Sequence, residues 1–200
     1  GVNSKGQILG NGTISNNAFP EPIKVPHMDI ISLDTQSHST FYLDSKGGLY
    51  SMGYNSSGQL GTSNKDDANT STKVFESGVK KVKSGGNSSF IIKDDGSLWA
   101  TGRNNFSQLG DGTKVDKESF MKIENYGVVD VDNLVTHTLY LKANGSLWGV
   151  GSNGAGQLGD GTTTDRNTSI EIVRGGVVDF AVGHYFSYYL LQDGSLWGMG

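Results

Sequence analysis

The chain has 200 residues, enough for one large domain or two small ones, and its 34% apolar residues are joined by 30 glycines and only 3 prolines, a composition suited to thin, turn-rich elements around a core. A net charge of −4 and a pI near 5.5 supply no field that would gather phosphates, which disfavours nucleic-acid binding. The absence of cysteine excludes a disulfide framework and a thiolate zinc site, and no stretch approaches the roughly 18 apolar residues of a membrane span.

Along the chain the same blocks return. Residues 3–10 (NSKGQILG) open the series, and Gly47-Gly48-Leu49-Tyr50 follows. Its copies Gly96-Ser97-Leu98-Trp99, Gly145-Ser146-Leu147-Trp148 and Gly194-Ser195-Leu196-Trp197 each stand 49 residues further on. Gly53, Gly102, Gly151 and Gly200 keep that interval, as do the blocks 55–61, 104–110 and 153–159. The step from Gly1 to Gly53 is 52, so the repeat units run 1–52, 53–101, 102–150 and 151–199, the first being longer by three. Gly1 therefore falls within a repeat, and a signal peptide, absent from the first residues, is expected upstream if there is one.

Within the last unit, residues 168–173, 177–182, 186–191 and 196–197 read as four strands between glycine-bearing turns. Asp95-Gly96, Asn144-Gly145 and Asp193-Gly194 point to type I′ hairpins, with positive φ at both residues. No window carries a capped helical stripe. Four strands in about 50 residues is one propeller blade, and a lone sheet with two faces to cover explains why the unit must repeat. The expected fold is all-β.

The combined signature Gly-Ser-Leu-Trp-x-x-Gly-x-Asn-x-x-Gly-Gln-Leu-Gly-Asp-Gly-Thr, fullest at residues 145–162 and present at 96–113 with Ser107 for one glycine, resembles the repeat of the RCC1 (regulator of chromosome condensation) family. The resemblance implies a β-propeller, usually of seven blades. Four units would be part of such a ring, a segment of a longer chain, or half of a ring closed by another copy. The family pattern has His-Ser at the start of the third strand, whereas the His position here holds Ser39, Ser88, His137 and Phe186. The family's best-known member is a nuclear exchange factor for a small GTPase and binds nucleosomes. This sequence has neither a basic tail nor an insertion resembling its GTPase-binding wedge, so exchange activity is not carried by matching residues.

Catalytic readings are weak. Gly149 to Gly154 and Gly154 to Gly159 satisfy G-x-G-x-x-G, but no helix follows to meet a pyrophosphate. Asp111-Gly112-Thr113 with Asp116, and Asp160-Gly161-Thr162 with Asp165, offer two carboxylates each, thin for calcium and better explained by Asx turns. His27, His38, His137 and His184 lack metal-ligand spacing. The expectation is a non-enzyme without metal or cofactor. Tyr50, Trp99, Trp148 and Trp197 recur too regularly for a ligand cage and are expected in one structural slot per blade, packed against the neighbouring sheet.

Function in a repeat protein is expected where the repeats differ. In an antiparallel meander the loop between the second and third strands and the loop after the fourth leave the same end. Tyr54, Arg103, Phe106, His184 and Tyr185 lie in these loops and are residue types that anchor protein interfaces. A protein partner is the leading expectation, with self-association beside it. Seven N-x-S/T sequons, at Asn11, Asn55, Asn69, Asn87, Asn105, Asn144 and Asn167, lend some weight to a secreted or cell-surface setting.

Overall fold

Alternating and β-branched runs between glycine turns make strands throughout the computed structural model, which describes residues 2–3, 12, 15–18, 21–22, 24–25 and 29–200. No helix occurs among these described residues. Strands β1 (Val2–Asn3) and β2 (Ser15–Ala18) pair with each other. The first four-stranded sheet comprises β3 (Ile30–Gln36), β4 (Ser39–Asp44), β5 (Leu49–Gly53) and β6 (Ala68–Phe75). The second comprises β7 (Val79–Ser84), β8 (Ser88–Lys93), β9 (Leu98–Gly102) and β10 (Lys117–Glu124). The third comprises β11 (Val128–Asn133), β12 (His137–Lys142), β13 (Leu147–Gly151) and β14 (Arg166–Val173). The fourth holds β15 (Val177–Val182), β16 (Ser187–Leu191) and β17 (Leu196–Met199), all pairings being antiparallel between neighbours in sequence.

Two sequence expectations change. The run 168–173 belongs to β14 and pairs with β13, so it closes the third sheet instead of opening the fourth. A periodic sequence fixes the repeat length but leaves its phase open, and the cross-strand register sets the sheet boundary at 173–177. The hairpin turns also differ from type I′, because of each Asx-Gly pair only the glycine has positive φ: Gly96 at 75°, Gly145 at 79° and Gly194 at 85°. Asp95 Oδ1 accepts the Ser97 amide at 2.9 Å and the Ser97 hydroxyl at 2.6 Å, an Asx turn that keeps Asp95 right-handed. Gly96 N–H donates to the Lys93 carbonyl at 2.9 Å, which closes a three-residue loop with glycine in the left-handed position. Asn144 and Asp193 repeat this arrangement.

The sheets stack face to face in chain order, as in a β-propeller. Phe41, Leu43 and Leu49 of the first sheet bury against Val79, Val82 and Ile91 of the second. Phe90, Ile92 and Leu98 meet Val128, Val131 and Tyr140 in the next interface, and Leu139, Leu141 and Leu147 meet Val177 and Phe180 in the third. From the loop after the third strand of each full sheet, Leu60, Leu109 and Leu158 enter these interfaces fully buried. Each such leucine contributes about 2 kcal/mol of apolar burial, which anchors its loop to the sheet stack.

Candidate functional site

The loop that carries Tyr54 and the loop that carries Arg103 and Phe106 are each tied together by one asparagine. Asn104 is fully buried, and its Oδ1 accepts the Leu109 amide at 3.0 Å. Its Nδ2 donates to Asp111 at 2.8 Å and to the Thr113 carbonyl at 3.1 Å, while its own amide donates to Asp116 at 2.8 Å. Asn55 with Asp67, and Asn153 with Asp165, repeat the arrangement. The sequence held the signal for these residues, since Asn and an Asp twelve positions later keep the 49-residue period, but it did not reveal that one side chain ties the whole loop. Burial also withdraws Asn55 from its sequon in the folded chain.

Each such loop leans onto the following sheet. Thr101 Oγ1 donates to the Gly58 carbonyl at 3.0 Å, Thr138 Oγ1 to the Gln108 carbonyl at 2.9 Å, and Gln108 Nε2 to the Val135 carbonyl at 3.1 Å. Within a sheet the two candidate loops are joined directly: Tyr54 N–H donates to His38 O at 2.9 Å, Arg103 N–H to Asn87 O at 2.8 Å and Ser152 N–H to Thr136 O at 2.9 Å. Close approach here requires glycine. A Cβ on Gly102 would lie 2.4 Å from the Asn87 carbonyl oxygen, and one on Gly151 2.5 Å from that of Thr136. Gly53, at the same position, has the same positive φ, and Gly200 is also positive. One end of the stack is thus a continuous surface of loops.

On that surface the five residues chosen from the sequence fall into local pairs. Arg103 lies 5.6 Å from the Phe106 ring centroid, and its Nε donates to Asn105 Oδ1 at 2.8 Å. His184 and Tyr185 are both exposed and meet edge to face at 4.4 Å. Tyr54 is half-buried, its ring 6.3 Å from that of His38. The pairs sit on different sheets. Beside Phe106, Ser107 adopts φ 59° at the place where Gly58 and Gly156 have 81° and 84°. Its Oγ is buried with no hydrogen-bond partner among the described residues. A left-handed serine with an orphaned hydroxyl is strained by about 1–3 kcal/mol, and such strain concentrates at functional loops.

The paired aspartates are committed elsewhere. Burial alone would raise the Asp111 carboxyl, but bonds from Lys117 Nζ, Thr113 and Asn104 hold it down at about 2. Asp160 is likewise held at about 2 against its burial by Thr162, Arg166 and Asn153, the Arg166 Nε contact being 2.7 Å. Each carboxylate therefore has a cation of the chain itself beside it. Trp99, Trp148 and Trp197 each donate Nε1–H to the serine two residues before, at 2.8, 3.0 and 3.1 Å. Tyr50, Trp148 and Trp197 stack on the cross-strand Tyr42, Tyr140 and Tyr189 at centroid distances of 5.1, 6.3 and 6.1 Å. Trp99 and Trp148 pack against the sheet before their own, as expected, whereas Trp197, expected in the same slot, is 53% exposed.

A family model described as the regulator of chromosome condensation (RCC1) repeat matches residues 46–92 and 144–190, and a second model of that description matches 79–108. The crystal structure of human WBSCR16 is similar with a TM-score of 0.82 at 22% identity, over 100% of this chain and 56% of that one. Yeast RCC1 (Prp20), solved bound to Kap60, gives 0.74 at 18% identity over 92% of this chain and 46% of that one. Prp20p from Saccharomyces cerevisiae, whose structure was described with its binding to Gsp1p and histones, gives 0.74 at 20%, over 92% and 48%. The chain spans about half the length of these structures. No curated protein matches its sequence.

Proposed function

The chain belongs to the regulator of chromosome condensation (RCC1) repeat family, and from that premise we propose that it is a non-catalytic scaffold that binds a protein on the loop end of its sheets. The observation that carries this reading is the Arg103–Phe106 pair beside the strained Ser107, at a loop where the other units are small or glycine-bearing. Arginine and aromatic side chains on a rigid base lose little conformational freedom on binding and desolvate well, which suits them to anchor an interface. Prp20 supports the proposal by example, since Kap60, Gsp1p and histones are all proteins. A net charge of −4 argues for a protein over a nucleic-acid partner.

Affinity capture with the wild type and with a Tyr54→Ala, Arg103→Ala, Phe106→Ala variant tests it. At least a tenfold loss of the captured protein is expected, and undiminished recovery would reject this face. Nucleotide-release assays on small GTPases separate the scaffold from an exchange factor, and no acceleration is expected. A cell-surface setting is a second reading, favoured by the exposure of Asn105, Asn144 and Asn167. An intact mass of native material without glycan would count against it.

A further inference from the structure

The loop between β9 and β10 of the second sheet, residues 103–116, departs from its counterparts at four positions. It holds Arg103, Phe106, Lys114 and Val115, where the first sheet has Tyr54, Ser57, Lys65 and Asp66 and the third has Ser152, Ala155, Thr163 and Thr164. The fold draws the four together. Asn104 Nδ2 donates to the Thr113 carbonyl at 3.1 Å and to the Val115 carbonyl at 3.3 Å, which lays residues 113–115 against residues 103–105. Phe106 N–H donates to Gln108 Oε1 at 3.0 Å, and Arg103 stands 5.6 Å from the Phe106 ring centroid. Gly112 N–H donates to the Asn167 carbonyl at 2.9 Å, so the loop is seated between the second and third sheets.

Charge at this loop runs against the sign of the chain. Both of its carboxylates are committed: the Asp111 side chain, 2% exposed, faces Lys117 Nζ at 2.8 Å, and Asp116 accepts the Asn104 amide at 2.8 Å. Among the described residues neither Arg103 nor Lys114 has a carboxylate partner. Arg103 Nε donates to Asn105 Oδ1 at 2.8 Å, which orients the guanidinium and leaves its two terminal nitrogens for a ligand. Lys114 is exposed, and Val115 beside it is 64% exposed. In the first sheet's loop Lys65 is followed by Asp66 and Asp67, and the third sheet's loop has threonines at the Lys114 and Val115 positions. Loop 103–116 is thus the one of the three that sets uncompensated cations beside large apolar side chains. The net charge of −4 is spread over the chain, and at physiological salt charges more than about 8 Å away are largely screened, so the two near cations decide what approaches. Two cations are few for a nucleic acid, whose binding strengthens with the number of phosphates neutralised.

We propose that loop 103–116 binds an acidic protein segment in which carboxylates flank an apolar side chain. Arg103 takes one carboxylate through its paired nitrogens, Lys114 takes a second as a point charge, and the apolar residue covers Phe106 and Val115. This assignment rests on the loop end being the face that meets a protein, and it specifies the chemistry of what is bound there.

Selection of random peptides displayed on phage, with the wild type and an Arg103→Glu, Lys114→Glu variant as baits, tests it. Far-UV circular dichroism checks that the variant is folded. The wild type is expected to enrich peptides in which aspartate or glutamate neighbours leucine, phenylalanine or another large apolar residue. Those peptides, made synthetically, are expected to bind the variant at least tenfold more weakly, and the variant is expected to enrich lysine- and arginine-bearing peptides in their place. Neutral or basic peptides enriched on the wild type, and bound less well by the variant, would overturn the acidic assignment while leaving the loop end as a protein-binding face. Acidic peptides that bind both baits equally would overturn it by placing their site elsewhere. Enrichment of no peptide at all would count against the acidic assignment and the loop-end reading together.

Discussion

Acid should loosen this protein through one buried histidine before its carboxylates titrate. His137 is fully buried between the third and fourth sheets, with Nε2 2.8 Å from Ser187 Oγ and Nδ1 without a hydrogen-bond partner among the described residues. Burial, aided by the nearby His184, pushes its pKa from 6.5 down to about 4. The folded-state value lies below the unfolded one, so the fold selects the neutral ring. The resulting stabilisation is complete above about pH 6.5 and is lost as pH falls towards about 4. The gap corresponds to about 3 kcal/mol, a large share of the stability of a typical domain. Urea unfolding at pH 7 and pH 4.5 measures it, alongside His137→Ser, which restores the residue of two other units. The wild type should lose most of that amount between the two pH values, and the variant should show little slope whatever its stability at pH 7. Equal slopes, or a flat wild type, would refute the reasoning. Asp111 and Asp160, held at about 2, act in a lower window that opens only below their ordinary value of 3.8.

Asn104→Ala leaves the Leu109 amide and the Asp111 loop without their partner, and should cost about 2–4 kcal/mol in urea unfolding; a loss under 1 kcal/mol would contradict the role given to this side chain. Ser107→Gly should stabilise by about 1 kcal/mol by relieving a left-handed serine, while weakening partner capture little if Phe106 keeps its place. Gly151→Ala should destabilise by 2 kcal/mol or more, since its Cβ would strike the Thr136 carbonyl at 2.5 Å and φ is 108°. Gly154→Ala, with nothing within 4 Å, should be close to neutral in the same melts.

Much of this architecture could be read from the sequence because its constraints are chemical and periodic. Gly102 and Gly151 recur because a side chain would strike the loop beside them, and the Trp148 type recurs because its indole N–H reaches the preceding serine. Residues 168–173 close the third sheet and do not open the fourth, a boundary the repeat cannot reveal because it does not say where its pairing begins. The hairpins depart from type I′ because Asp95 turns its carboxylate onto Ser97, a local bond that outweighs the usual preference of an Asp-Gly pair. Leu196 looks like Leu147 in sequence and differs only in what lies against it, which no local pattern encodes.

A photoreactive phenylalanine analogue placed at position 106, and in a second sample at position 144 in a hairpin turn at the opposite end of the third sheet, addresses the binding face most directly. Irradiation in extract should join a protein to the chain at 106 and not at 144. Cross-linking confined to 144, or absent from both, would mean that the loop end is not where the chain meets its partner.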